Sequence, residues 1–256
     1  HKVKVEMLKD QARIYKEMRD DLVATLENKE ILKYSIPLGD ERNIISGDVL
    51  IDLDDSEVMS ADLAIVKTLR LMQLTAGIFT NEDGEITILK TNLEAQLKEM
   101  LEEICSNKAN KVIVWSIFKP TYEVIAKLCE KLGIKYVFYN GLQDKEEKDA
   151  AKNKFNKDPD TQVIIANQAA GGTGLNLTAA NYDVYYSWDF SLEKYAQSAA
   201  RAYRGGQTRN YTSYKLVTDD TIAVKSITAL EEKAANAENI LEVRKELTRS
   251  EILDFI

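Results

Sequence analysis

Short apolar runs alternate with amphipathic segments between Lys111 and Val217, and this alternation leaves few possible folds. Five apolar runs predict buried strands: Lys111–Trp115, Tyr136–Tyr139, Val163–Ala166, Val184–Tyr186 and Tyr211–Val217. Three helical patterns lie between them: Tyr122–Leu132, Asp144–Phe155 and Leu192–Tyr203. Strands that alternate with helices of about ten residues indicate an α/β fold, a parallel sheet with helices on both faces. Ligands bind such sheets at the carboxyl ends of the strands, so a site is expected in the loops at that edge.

Helical patterns also precede and follow this segment. Before it, apolar residues recur at helical spacing in Glu6–Leu32, Ser56–Ala76 and Asn92–Cys105. The start, His1–Val5, predicts a strand, and the alternating Asp48–Leu53 predicts a hairpin or an irregular insertion. Two further helices are predicted at Thr221–Leu241 and Glu242–Ile256. We therefore predict three regions: a helical linker or insertion region at 1–106, an α/β lobe at 107–218 and C-terminal helices at 219–256.

Composition narrows the possible classes of protein. With 256 residues, 45% apolar and 30% charged, the chain can form one good-sized core with a helical region attached. No apolar run approaches the roughly eighteen residues of a membrane span. Cys105 and Cys129 lie in helical apolar patterns and predict buried thiols in a reducing cytoplasm. One histidine and no cysteine cluster predict that there is no metal site.

The net charge of −8 bears on partners. Lysine and arginine contacts to phosphates supply most of the affinity of a nucleic-acid-binding protein. An acidic chain can still bind through a local basic surface. We therefore expect any nucleic-acid binding by this chain alone to be weak and sensitive to salt.

Residues 197–207, Gln-Ser-Ala-Ala-Arg-Ala-Tyr-Arg-Gly-Gly-Gln, form the most specific pattern of the chain. Gln197, Arg201 and Arg204 would share one face of a helix that ends near Gly205. Two guanidinium groups and an amide on one face suit a polyphosphate. An isolated Arg-x-x-Arg also occurs on surface helices whose arginines pair with carboxylates, so the surrounding pattern decides between the two interpretations.

The glycine-rich residues 171–174 follow the predicted strand Val163–Ala166. They lack the Gly-Lys-Ser or Gly-Lys-Thr of a P-loop and the spacing of a dinucleotide fingerprint. They are compatible with a tight turn or with a nest of backbone N–H groups that binds a phosphate.

Together, the two patterns resemble motifs V and VI of the Swi/Snf-type helicase-like ATPases of superfamily two. The helical patterns before Lys111 resemble the linking helices of the phage and bacterial branch of this family. The resemblance runs from Lys111 to about Lys233, and it implies a RecA-like, P-loop NTPase-like second lobe followed by brace helices. Motif VI implies Gln197, Arg201 and Arg204 as catalytic residues, whose arginines reach the γ-phosphate of ATP. Motif V implies Gly172, Gly174 and Asn176 as nucleotide-binding residues.

The resemblance also implies a nucleic-acid-binding surface. Its residues are Ser116, Lys119, Gly141, Asn167 and Gln168. Asn167 and Gln168 take the place of a Ser-Thr pair that touches a phosphate in the family, and amide groups can still donate there. Phosphate contacts carry no base information. The implied partner is double-stranded DNA, bound without sequence preference.

No Walker A lysine occurs in a glycine-rich setting. Val49–Asp52 mimics a Walker B strand, but no phosphate loop precedes it, so we interpret it as part of the insertion. In the family, ATP and Mg²⁺ are held mainly by the first RecA-like lobe, which we expect before residue 1. The implied partners are this lobe and DNA, in the cytoplasm of a bacterial or phage-infected cell, and the chain alone is expected to be inactive. The sequence does not indicate an oligomeric state.

Three alternatives stay open. An RNA-directed helicase lobe of the same superfamily would share these motifs. A noncatalytic nucleotide-binding module with a Rossmann-like sheet would explain the alternation but not the spacing of Gln197, Arg201 and Arg204. A small-molecule transferase would need an acid or base near the strand ends, where no carboxylate stands out.

Overall fold

The predicted alternation of strands and helices is present in the computed structural model, which describes residues 1–27, 66–81, 84–170, 175–202 and 209–235. The strands are β1 (Lys2–Val5), β2 (Ile78–Thr80), β3 (Ile86–Ile88), β4 (Val112–Trp115), β5 (Lys135–Tyr139), β6 (Thr161–Ala166), β7 (Tyr182–Tyr185) and β8 (Thr212–Thr218). The helices are α1 (Lys9–Glu27), α2 (residues 66–75), α3 (Asn92–Ser106), α4 (Lys119–Lys131), α5 (Lys145–Lys157), α6 (Leu192–Ala202) and α7 (Ile222–Ala235).

Six strands form one sheet in the order β1-β8-β7-β4-β6-β5. The pairs β8–β7, β7–β4, β4–β6 and β6–β5 are parallel, as predicted. Every residue of β4 and β6 is buried, which explains their unbroken apolar sequences. The connections through α4 and α5 cross the sheet in opposite directions, so right-handed crossovers place these two helices on opposite faces.

The chain divides into two compact units. One unit contains the six-stranded sheet with α3 to α6, and it includes His1–Val5 and Asn92–Val217. β1 and α3 therefore group with the sheet, although the sequence places them in the region 1–106. The three-region division itself stays a prediction.

The second unit contains α1, α2, α7 and the hairpin of β2 and β3. Two polar side chains of α1 join its parts. Gln11 Nε2 donates to Leu74 O of α2 at 2.7 Å, and Tyr15 OH accepts from Ile222 N of α7 at 2.8 Å. These helices agree with the predicted helical patterns, and Gly77 lies just beyond α2.

The hairpin of β2 and β3 was missed, since three-residue strands are too short to show an alternating pattern. The turn at Gly77 requires glycine. Its φ is +84°, and an added Cβ would lie 2.8 Å from Thr91 Cγ2 and 2.9 Å from Leu89 O. The insertion predicted at Asp48–Leu53 lies outside the described residues.

The side chain of Lys111 ties three segments together at the amino end of β4. Its Nζ donates to Phe155 O at 2.6 Å, Asp158 O at 2.7 Å and Thr161 O at 2.8 Å. The ammonium also lies 5.2 Å from the centroid of the Phe155 ring. These bonds hold the end of α5 and the start of β6 beside β4.

Both cysteines are free and buried, which confirms that part of the sequence prediction. Burial raises the pKa of Cys105 to about 11 and that of Cys129 to about 12. None of the described helices combines the length and the apolar character needed to cross a bilayer.

Candidate functional site at the carboxyl edge of the sheet

The strands that carry the predicted site residues end in register. Trp115 of β4 lies beside Ala166 of β6 and Tyr185 of β7, and Ala166 also lies beside Tyr139 of β5. The residues that follow these four strands therefore meet at one edge of the sheet. The sequence predicts the ligand site at this same edge.

Ser116 follows β4 and lies in a buried cluster of three hydroxyl groups. Its Oγ is 2.6 Å from Thr121 Oγ1 and 2.8 Å from Ser187 Oγ. Ser187 Oγ also accepts from Ile117 N at 3.0 Å, and Thr121 Oγ1 donates to Phe118 O at 2.7 Å. A DNA contact by the Ser116 hydroxyl stays a prediction, and it would require this cluster to open.

Asn167 follows β6 and is fully buried. Its Nδ2 donates to Ser116 O at 3.2 Å, Ile117 O at 3.3 Å and Tyr122 OH at 2.8 Å. Its Oδ1 accepts from Ala169 N at 2.7 Å. The side chain thus joins the ends of β4 and β6 from inside, and its predicted phosphate contact remains a prediction.

Gln168, the next residue, uses both ends of its amide on the α6 side of the edge. Its Oε1 accepts from Asp189 N at 2.8 Å, and its Nε2 donates to Ser198 Oγ at 3.0 Å. It is 2% exposed. As placed, the amide holds neighbouring protein segments, so its predicted phosphate contact also stays a prediction.

Lys119 and Gly141 are the more accessible members of the predicted DNA-binding set. Lys119 is the first residue of α4 and is partly exposed. Phe118 precedes it without a side-chain cap, Pro120 has no N–H to donate, and Thr121 N donates to Phe118 O at 3.2 Å. Gly141 is exposed in the loop after β5, beside Leu142, which is 66% exposed.

The helix α6 carries Gln197 and Arg201, two of the three predicted catalytic residues. Ser191 precedes it, and its Oγ accepts from Lys194 N at 3.4 Å, while Lys194 Nζ pairs with Asp189 Oδ2 at 2.9 Å. Gln197 is exposed, whereas Arg201 is 7% exposed. These contacts of Ser191, Lys194 and Asp189 stabilise the first turn of α6, which precedes Arg201.

Gln197 and Arg201 share one face of α6, as their spacing predicts. Arg201 Nη2 donates to Gln197 Oε1 at 3.3 Å, and Gln197 Nε2 donates to Glu193 Oε1 at 2.9 Å. The guanidinium of Arg201 is therefore packed and hydrogen-bonded rather than spread over the surface. Arg204 lies outside the described residues.

Asn176 lies next to the end of α6. Leu177 N donates to Arg201 O at 3.3 Å, which brings the segment of the predicted nucleotide-binding residue to the predicted catalytic helix. Asn176 is exposed, and its Oδ1 accepts from Thr178 N at 3.2 Å. Gly172 and Gly174, the other two predicted nucleotide-binding residues, lie outside the described residues.

A buried carboxylate lies behind the edge, at Asp183 of β7. Trp115 Nε1 donates to its Oδ2 at 3.3 Å. Burial raises the pKa of Asp183, and hydrogen bonds from Ser213, Tyr211 and Trp115 oppose that shift. Burial likewise raises the pKa of Tyr185, which also interacts with Asp183. Within the described residues, no group of His, Cys, Asp or Glu side chains could hold a metal ion.

Three further residues were not predicted from the sequence, and they hydrogen-bond the predicted site residues or one another: Ser187, Ser198 and Tyr185. The position of Ser198 in the sequence could have indicated its role. It lies three residues after Tyr195 and three before Arg201, on the face of α6 that an amphipathic helix buries. A serine on that face needs hydrogen-bond partners from another element or from its own helix.

The described residues thus define an α/β lobe with a cationic helix at the carboxyl edge of its sheet. Residues 94–206 match the helicase conserved C-terminal domain. The parallel sheet with its helices is a RecA-like fold and is similar to the Sulfolobus solfataricus SWI2/SNF2 ATPase core solved in complex with double-stranded DNA. That likeness has a TM-score of 0.69 at 23% identity, and it covers 100% of this chain and 49% of that chain. The predicted fold class is confirmed.

Two curated relatives are similar in sequence. The ATP-dependent helicase FUN30 of Saccharomyces cerevisiae is 28% identical over 162 residues, which is 62% of this chain and 14% of FUN30. The putative ATP-dependent helicase/translocase YwqA of Bacillus subtilis is 31% identical over 169 residues, which is 64% of this chain and 18% of YwqA. The chain therefore spans less than a fifth of either relative. The resemblance to Swi/Snf-type helicases is confirmed, and the phage or bacterial branch stays a prediction.

Proposed function

We propose that this chain is the second motor lobe of an ATP-dependent translocase or helicase that acts on double-stranded DNA. Arg201 and Arg204 act as arginine fingers that reach ATP, with Gln197 beside them. ATP and Mg²⁺ are held mainly by a first RecA-like lobe, and this chain alone does not hydrolyse ATP. The observation that carries the proposal is the buried Arg201, which shares a face with Gln197 and lies next to the Asn176 segment.

The chemistry follows from the charge that develops on ATP. Phosphoryl transfer to water needs positioning and positive charge at the transition state. A guanidinium on a helix of the second lobe supplies that charge only when the two lobes close. Gly172, Gly174 and Asn176 contribute backbone and side-chain groups near the nucleotide in this proposal.

The DNA-binding part of the proposal begins with Lys119 and Gly141, because these two residues are accessible. Ser116, Asn167 and Gln168 contribute through the loops that their side chains hold. The dsDNA complex of the S. solfataricus core, to which this fold is similar, supports a DNA duplex as partner. The two free, buried thiols suit a reducing compartment, and the proposal includes a cytoplasmic location in a bacterial or phage-infected cell.

The test is Arg201→Ala in a protein in which this chain follows the proposed first lobe. Loss of an arginine finger lowers turnover by roughly 10³- to 10⁵-fold, while the Kd for ATP is expected to change only a few-fold. Arg209→Ala is the control, since Arg209 is an exposed arginine that hydrogen-bonds Ala109 O and Asn110 Oδ1. ATP turnover is measured with and without double-stranded DNA, and ATP binding is measured by calorimetry.

Three results would contradict parts of the proposal. Equal losses of ATP binding and turnover in Arg201→Ala would give Arg201 a structural role. Stimulation of the unchanged protein by RNA and not by DNA would favour the RNA-directed alternative. Turnover by the purified 256-residue chain, lost in Arg201→Ala, would show that no first lobe is needed.

A further inference from the structure

We propose that Gln168, Tyr185 and Ser198 form a clasp that positions α6, and with it Arg201, against the carboxyl edge of the sheet. The three side chains come from the loop after β6, from β7 and from α6. The proposal deepens the function proposed above and rests on it for the role of Arg201. It assigns Gln168 to positioning and adds two positioning residues to the site.

Ser198 is the centre of the clasp. Its Oγ lies 2.8 Å from Tyr185 OH and accepts from Gln168 Nε2 at 3.0 Å. The same hydroxyl donates to Tyr195 O of its own helix at 2.7 Å. A hydroxyl has one proton and two lone pairs. With its proton on Tyr195 O, Ser198 accepts from both Gln168 and Tyr185, and its hydrogen-bonding capacity is filled.

Gln168 holds α6 at two separate points. Its Oε1 accepts from Asp189 N, three residues before the helix begins, and its Nε2 donates to Ser198 in the middle of the helix. Ser198 precedes Arg201 by three residues, so both lie on the same side of the helix. A shift of α6 along its axis would break both bonds of Gln168 at once.

Tyr185 restrains α6 against rotation about its axis. Its ring packs against the Tyr195 ring with a centroid distance of 5.4 Å, and its hydroxyl reaches Ser198. Tyr185 and Ser198 are 1% and 0% exposed, so water does not replace these bonds when they are broken. Rotation of α6 about its axis would therefore leave buried hydroxyl groups without partners.

Ser226→Ala provides a matched control for Ser198→Ala. Both serines are buried, at 0% and 1% exposure, and both lie within helices. Both donate to the carbonyl three residues back, Ser198 to Tyr195 O at 2.7 Å and Ser226 to Ala223 O at 3.2 Å. The two substitutions thus share the loss of a local bond, and only Ser198→Ala removes the acceptor of Gln168 and Tyr185.

The first measurement is steady-state ATP turnover with double-stranded DNA in the two-lobed protein. Misplacing a catalytic group by about 1 Å costs up to roughly 100-fold, so Ser198→Ala is expected to lower kcat by about 10- to 100-fold. KM for ATP is expected to stay within about two-fold, as for an interaction made only in the transition state. The double variant Ser198→Ala with Gln168→Ala is expected to lose less than the product of the single losses.

The second measurement is amide hydrogen exchange of α6 in the 256-residue chain. Exchange in α6 is expected to rise about ten-fold in Ser198→Ala and to stay unchanged in Ser226→Ala. Equal exchange of α6 in both variants would overturn the clasp, and so would a kcat of Ser198→Ala equal to that of Ser226→Ala. If the unchanged protein shows no DNA-stimulated turnover, the proposed function fails, and the exchange measurement still decides whether the clasp holds α6.

Discussion

Asn140 and Asn167 are both asparagines that directly follow a parallel strand, β5 and β6 respectively. The loops that they begin nevertheless differ. Each asparagine makes a local turn: Asn140 Oδ1 accepts from Leu142 N at 2.9 Å and Asn167 Oδ1 from Ala169 N at 2.7 Å. Asn167 also donates to three acceptors of the β4 side, and Gln168 after it is buried. Gly141 and Leu142 after Asn140 are exposed.

The position of the strand in the sheet accounts for this difference. β5 is one of the two outermost strands of the sheet, and β6 lies between β4 and β5. A loop that follows an interior strand has neighbours on both sides, and its polar side chains must bond to them. A loop that follows an outermost strand has a neighbour on one side only and can present its residues to a ligand. The contrast predicts that the loop after β6 makes the site rigid and that the loop after β5 contacts the ligand.

The largest expected effect distinguishes the two asparagines by stability. Asn167→Ala removes the side-chain donor from the buried carbonyl groups of Ser116 and Ile117, and it should lower the free energy of unfolding by about 3 kcal/mol. Asn140→Ala removes a local turn bond and should cost about 1 kcal/mol. Urea denaturation of the 256-residue chain measures both. Equal losses of unfolding free energy would mean that the two asparagines stabilise their loops to the same extent, whichever strand they follow.

A pH profile tests the interior further, through Asp183. Because burial raises its pKa above the ordinary value of 3.8, the folded state holds the proton more tightly than the unfolded state does. This contribution to stability is complete below about pH 4 and is lost as the pH rises through the raised pKa. Asp183→Asn, which keeps the shape, should gain stability relative to the unchanged chain as the pH rises. Parallel stability profiles for the two proteins would contradict the raised pKa.

For the loop after β5, a smaller effect is expected from the capping box that starts α5. Asp144 Oδ1 accepts from Glu147 N at 2.8 Å, and Glu147 Oε2 accepts from Asp144 N at 3.0 Å. Asp144→Ala should therefore cost about 1 kcal/mol, and Asp144→Asn should cost little, because asparagine caps equally well. Denaturant midpoints give the comparison. A loss above roughly 2 kcal/mol would show that α5 depends on more than this local cap.

The smallest expected effect concerns DNA binding by the accessible residues. Lys119→Ala should reduce the slope of log affinity against log salt by about 1, because the variant neutralises one phosphate fewer. Lys157→Ala, at the far end of α5, is the control and should leave the slope unchanged. Fluorescence anisotropy with duplex DNA at several salt concentrations measures the slope. Equal slopes for both variants and the unchanged chain would remove Lys119 from the DNA-binding surface.

The sequence was sufficient for the interior strands, because runs such as Val112–Trp115 and Val163–Ala166 are buried on both faces and carry no polar interruption. It was also sufficient for the shared face of Gln197 and Arg201, since helical spacing is local. It was not sufficient for the direction in which Ser116, Asn167 and Gln168 point. Their partners, such as Ser187 and Tyr122, are 71 and 45 residues away along the chain, and only the folded sheet brings them together.

The three carbonyl groups around Lys111 limit which cation that position accepts. They surround a tetrahedral ammonium, whose three protons each meet one oxygen. A guanidinium is planar and directs its donors within one plane, so it does not match this tripod. Exchange of lysine for arginine, harmless at many exposed sites, would here leave carbonyl oxygens of α5 and β6 without a donor. The amino end of the sheet thus selects its cation by geometry.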